Sequence, residues 1–243
     1  MSLLTMIQQS LQEVGEFEIP ATIINNNNPT ATQMLALAQK EGRELSRRYE
    51  WQALILEKTQ ALTAGTASYA FPADFRYALN MVWYDRTQRR EMTGPVSPQQ
   101  WQALQASEID AAVTKYWRIR GNALLIYPTP TTTDTIAYEY VSTSWAQSSG
   151  GTAQSAWIAD SDTGRLSEEV MGSGLVWRFL QAKGLPYESA QAEYERSLTR
   201  DEGRDGAAPR LVFGGRGRQG RDYVATNVNV TWRQPAILPL KRS

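Results

Sequence analysis

The 243-residue chain is 42% hydrophobic and 21% charged, ordinary values for a globular protein, and it is long enough to bury a sizeable core unaided. It holds no cysteine and no histidine. That excludes disulfides, thiolate metal sites, cysteine nucleophiles and the Ser-His-Asp triad, and it removes the commonest general base. Its 25 basic and 25 acidic residues cancel, but unevenly: from Arg204 to Ser243 eight basic residues face only Asp205 and Asp222, leaving +6 there and −6 on residues 1–203. An acidic body with a basic tail points to a separate partner for the tail.

Ser2 to Val14 predicts an amphipathic helix, with Leu3, Leu4, Ile7, Leu11 and Val14 on one face and Gly15 as its stop. It lacks the basic start of a secretory leader. No window of about 18 apolar residues occurs, so the expectation is a soluble chain made inside the cell, with no membrane span. Asn25 to Asn28 mark a loop, because Asn tolerates left-handed backbone. Thr30 is the expected N-cap of the next helix, with Gln33 as capping-box partner. Its apolar positions include Met34, Leu35, Leu45 and Trp51. Arg43, Arg47 and Arg48 fall off that stripe and read as a solvated face.

From Leu54 to Val141 the chain is rich in Thr, Tyr, Trp, Val and Ile. The expected strands are Leu54–Ala61, Ala67–Ala70, Ala78–Tyr84, Arg90–Met92, Tyr116–Arg120, Ala123–Tyr127 and Thr135–Val141. Gly121-Asn122 signals a hairpin. Ser97 and Pro98 open a short helix. Ser144 to Ser155, rich in Ser, Gly and Gln, reads as a flexible excursion. Ser167 is the expected cap of a helix that carries Val170, Leu175, Val176 and Phe179 and ends at Gly184. A further helix spans Tyr187 to Arg200. The tail beyond is rich in glycine and arginine and has no helical period.

The fold class expected is therefore α+β: a helical bundle with an inserted antiparallel, sandwich-like β-module and an extended C-terminal arm. The expected segments are residues 1–52 (N-terminal helices), 53–143 (β-module), 144–202 (loop and C-terminal helices) and 203–243 (basic arm).

Candidate chemistry is sparse. Asp160 and Asp162, with the nearby Glu168 and Glu169, superficially resemble a cation loop, but the bidentate Glu is missing from its proper place, and an Asp-rich turn feeding the next helix is the plainer reading. Asp74 follows Pro72-Ala73 as a turn-forming residue without a catalytic partner. Gly214-Gly215-Arg216-Gly217 lacks the ending of a phosphate loop. No catalytic residue, cofactor or metal is assigned. Of the eight tryptophans, Trp145 and Trp157 lie in expected loops and are candidates for subunit or tail contacts. In the tail, Arg210, Arg216, Arg218, Arg221 and Arg233, with Val228, Val230, Trp232 and Ile237, combine charge with apolar anchors and read as an arm that lies across an acidic protein surface.

Tyr69-Ala70-Phe71-Pro72-Ala73-Asp74-Phe75 is similar to the Tyr-x-Leu-Pro-Ala-Asp-Phe signature of tailed-phage head-to-tail adaptor proteins. The resemblance continues through Leu79 to Trp83, Asp85 to Arg90, Ser97-Pro98-Gln99-Gln100-Trp101, Tyr116 to Pro130, Glu139 to Ser142 with Trp145, Asp160 to Thr163, and Trp177-Arg178-Phe179 with Ala182-Lys183-Gly184-Leu185. It covers about residues 1–200. It implies a structural virion protein of short-tailed phages (podoviruses), a head-completion or connector protein of the neck, made in the host cytoplasm. It further implies a homo-oligomeric ring of twelve copies joined to the portal protein and to the tail nozzle (tail tubular) protein. Viral DNA would pass through the lumen without sequence-specific contact, and the C-terminal arm would reach the portal. Two other readings stay open: a β-sandwich virion protein that binds host-surface glycans through Trp145 and Trp157, and a glycan-cleaving enzyme that uses two carboxylates.

Overall fold

Leu3, Ile7 and Leu11 recur at helical spacing, and the chain folds there as α1, Leu3–Val14. Ser2 Oγ accepts from Thr5 N–H at its start, and Gly15, at a left-handed φ of 81°, ends it. The computed structural model describes residues 1–206 apart from 17, 81 and 108–113. Met1–Ala208 form one compact unit; the second unit, Pro209–Ser243, lies outside the described residues.

Helix α2 runs Pro29–Arg48. Its cap is Asn28, whose Oδ1 accepts from Thr30 N–H at 2.8 Å, and not Thr30 as the sequence suggested. Pro29 fits the first helical position, where a missing N–H is no loss, and so moves the start upstream. A 3-10 turn, Gln52–Leu54, leads into β1, Ile55–Ala61. There follow β2 (Ser68–Ala70), β3 (Phe75–Ala78), β4 (Tyr84–Asp85), β5 (Arg90–Glu91), α3 (Pro98–Ala106), β6 (Tyr116–Arg120), β7 (Ala123–Tyr127) and β8 (Thr135–Ser142). Then come β9 (Ala146–Gln147), β10 (Ala153–Gln154), β11 (Thr163–Gly164), α4 (Glu168–Lys183) and α5 (Glu188–Gly206). The architecture is α+β, and every strand pairing described is antiparallel.

Strand β8 is the spine of the largest sheet. It pairs with β1 over seven residues, from Ile55 opposite Val141 to Ala61 opposite Thr135. Its other edge is shared by β3 and β4, with β5 beyond β4. The β6–β7 hairpin turns at Gly121-Asn122, both at positive φ, and with β2 it makes a second sheet. Alternation along β8 sends its two faces to two cores. Ile136, Tyr138 and Tyr140 meet Trp117, Leu124 and Ile126 of the second sheet. Between the sheets the Trp83 ring stacks on Trp117 at 3.9 Å and on Tyr138 at 4.1 Å. Val141, on the other face, joins Leu3, Ile7, Met34, Leu45, Leu175 and Phe179 in the helical core.

Other expectations also need correction. Ala78–Tyr84 is not one strand: Trp83 turns inward and its Nε1 donates to Leu79 O at 2.9 Å, which takes the segment between β3 and β4 off the ladder. Ser144 to Ser155 is not a free excursion: it carries β9 and β10, which with β11 form a third sheet. Arg165 holds its start by donating to Ser144 O and Ala53 O. Helix α5 runs six residues past Arg200, because Arg48 pairs with Glu195 and Glu202, and Asp205 accepts from Gln52 N–H at 2.9 Å. Ser167 precedes α4, but its side chain makes no capping bond.

Candidate functional site

Trp145 and Trp157 are 1% and 4% exposed and meet edge to face at 5.2 Å inside the helical core. Placed by sequence in loops, they are buried because those loops fold into the third sheet. Their rings are occupied within the chain. The arm residues Arg210, Arg216, Arg218, Arg221, Val228, Val230, Trp232, Arg233 and Ile237 lie outside the described residues.

The carboxylates singled out for chemistry hold main chain instead. Asp160 accepts from Ile23 N–H and Ile24 N–H at 3.1 and 2.8 Å. Buried Asp162 accepts from Ile158 N–H and Ala159 N–H at 2.7 and 2.8 Å. The carbonyls of Asp162 and Asp160 take the N–H groups of Leu3 and Leu4, which an α1 start leaves without helical partners. This turn therefore clamps the N-terminal helix. Asp74 accepts from Tyr140 Oη and Ser142 Oγ at 3.1 and 2.6 Å, tying its turn to β8. Burial foremost, then the Asp74 charge, pushes the Tyr140 phenol up to about 12. Among the described residues no group of three or more acidic side chains could hold a metal ion.

Two ion clusters lie under the surface, and the sequence reading found neither. Arg178 on α4 donates from Nε to Glu41 Oε2 at 2.5 Å and from Nη2 to Glu44 at 2.7 Å, and it rests 4.5 Å from the Trp177 ring centroid. Glu41 is 1% exposed; burial raises its pKa against the opposing pull of Arg178. The pair pins α2 to α4 at Gly174, where a Cβ would come within 2.5 Å of the Glu41 carboxyl. In the β-module Lys115 bridges the buried Asp85 and Asp134.

The surface carries the remaining features. A cavity of about 510 Å³ opens between α1, α4 and α5. Glu13, Glu169 and Glu193 line it, each exposed, above Met6 and Val176. On α2, Lys40, Arg43 and Arg47 recur at spacings of three and four and are exposed. Charged faces of this kind fit recognition of another macromolecular surface. The groove was not readable along the chain, since its three helices bring together residues more than 150 positions apart.

The family model described as SU10 adaptor protein matches residues 1–222. No curated protein matches the chain.

Proposed function

The chain belongs to the SU10 adaptor protein family, and from that premise we propose that it is the ring-forming connector between the portal and the tail nozzle of a short-tailed phage. The family makes it a phage adaptor, a structural virion component that joins other virion parts, and so suggests a protein without catalysis. In the proposal twelve copies enclose the channel through which DNA leaves the head, and the arm that follows α5, residues 207–243, anchors the ring to the portal. The −6 charge of residues 1–203 suits a DNA channel, because basic walls would grip phosphate.

The observation that carries the reading is the extent of the family match: it covers the whole described body and reaches residue 222, into the basic arm. The carboxylates the sequence singled out, Asp160, Asp162 and Asp74, are engaged with main-chain amides and hydroxyls. The glycan-binding alternative relied on Trp145 and Trp157, which are buried. The test is to mix the purified full-length chain with the isolated portal of the same phage and to measure mass and image the complex. A second ring stacked on the portal is the expected result. A chain that stays monomeric and does not associate with the portal overturns the reading.

A further inference from the structure

We propose that neighbouring copies meet head to tail, with the basic stripe of α2 on one copy seated over the acidic α1–α4–α5 groove of the next; this rests on the ring reading above. A ring of identical copies needs two different, complementary patches on each copy, because a patch that pairs with itself stops at a dimer.

The groove supplies one patch. Glu13 and Glu193 make no ion pair among the described residues, and Glu169 reaches only Arg200, at 3.9 Å, with both side chains well exposed. The floor mixes buried Met6 and Val176, 4% and 5% exposed, with buried Ser10 and Ser197. It is also open: a Cβ added at Gly172 would find only Ser10 Oγ, 4.0 Å away. A partner helix can therefore approach closely, and carboxylates await it on the rim.

The second patch is α2. Arg43 and Arg47 make no ion pair among the described residues, and Lys40 has only Glu44, at 3.8 Å on an exposed face. Arg47 also sits near enough to Arg76 for the two charges to repel, after burial the next cause that lowers the Arg76 pKa. An added carboxylate would relieve that crowding. Three unpaired or weakly paired acids thus face one way and three such bases another.

Their placement fits a ring. On α4, Glu169, Gly172, Ser173 and Val176 face the groove, while Gly174 and Arg178 face α2. At 100° per residue these two sets point about 170° apart. The acidic groove and the α2 side of the molecule therefore lie on opposite flanks of one helix. Contacts between opposite flanks propagate from copy to copy.

Charge reversal tests this. The Arg43→Glu/Arg47→Glu variant and the Glu13→Lys/Glu193→Lys variant alter exposed side chains only, and unchanged melting midpoints check that each still folds. Each should raise the concentration for half-assembly about tenfold or more, alone or on the portal, with the loss smaller at high salt. Mixing the two variants, or placing all four reversals in one chain, restores complementarity and should restore assembly. Variants that assemble like the wild type, or a fourfold reversal that does not recover, overturn the contact while leaving the ring reading intact. A wild-type chain that never self-associates, in solution or on the portal, overturns both.

Discussion

Gly42 lies in the middle of α2, where alanine should gain about 1 kcal/mol of helix propensity over glycine. The surroundings reverse the sign. A Cβ on Gly42 would fall 2.2, 2.4 and 2.5 Å from three atoms of the Trp145 six-membered ring. Carbon atoms in good contact stand roughly 3.5–4.0 Å apart, so the helix or the indole would have to shift by more than about 1 Å. Neither has room: Trp145 is 1% exposed and braced by Trp157, and α2 is pinned to α4 by Arg178. Overpacking of this kind costs about 1–3 kcal/mol, more than the propensity gain. Gly42→Ala should therefore lose up to about 2 kcal/mol net, a fall of up to roughly 8 °C in melting midpoint for a body of this size. Circular dichroism with tryptophan fluorescence measures it. In a Trp145→Leu background the same substitution should be neutral or stabilising, so the double-mutant cycle isolates the contact. A Gly42→Ala chain that melts higher than wild type would refute the reasoning and free Trp145 for a role at the surface.

Lys115→Met leaves Asp85 and Asp134 buried without their cation. It should cost about 3–5 kcal/mol at neutral pH; an unchanged urea midpoint at neutral pH would contradict this. The Lys115 hydrogen bond foremost holds the Asp134 carboxyl below its ordinary value of 3.8. The folded state thus binds that proton more weakly than the unfolded chain. The resulting stability is present above pH 3.8 and is lost as pH falls through the lower folded value. Asp134→Asn should flatten the acid limb of the stability profile, and an unaltered limb counts against the pairing. Removing residues 209–243 should leave the melting midpoint unchanged and abolish portal binding. Removing 204–243 should also lower the midpoint, because Asp205 no longer accepts from Gln52 N–H, a bond worth about 1 kcal/mol. Equal midpoints for the two truncations would show that the end of α5 holds nothing.

What could be read from the sequence was what carries its own local chemistry. Helix α1 shows its stop in Gly15, the β6–β7 hairpin shows its turn in Gly121-Asn122, and α3 shows its start in Ser97 and Pro98. Each signal lies within a few residues of the element it governs. The misread stretches depend on distant partners. Nothing near Ala78–Tyr84 reveals that Trp83 will stack between Trp117 and Tyr138 and pull its segment out of the ladder. Nothing near Trp145 reveals the glycine on α2 that makes room for its ring. The Glu41–Arg178 pair joins residues 137 positions apart. In α2 alone Glu41 passes for one more polar residue. The groove acids were equally hidden, because Glu13, Glu169 and Glu193 lie on three helices that meet only in the fold.

Helix α4 explains how so few residues serve both the fold and the proposed assembly. Its α2-facing side spends one buried guanidinium and the space left by Gly174 on fixing a neighbour. Its opposite side carries nothing larger than Val176 between Glu169 and the end of the groove, with Gly172 and Ser173 keeping the floor low. Leucines at 172 and 173 would fill the groove with apolar side chains. The small residues leave the groove unfilled, and a partner helix seated there would occupy the space. Exposed unpaired carboxylates cost almost nothing in water, and they keep acidic grooves on separate copies from meeting one another. In the proposed assembly each copy holds its complementary charges in reserve. That reserve is what the reversal and rescue of Arg43, Arg47, Glu13 and Glu193 would expose.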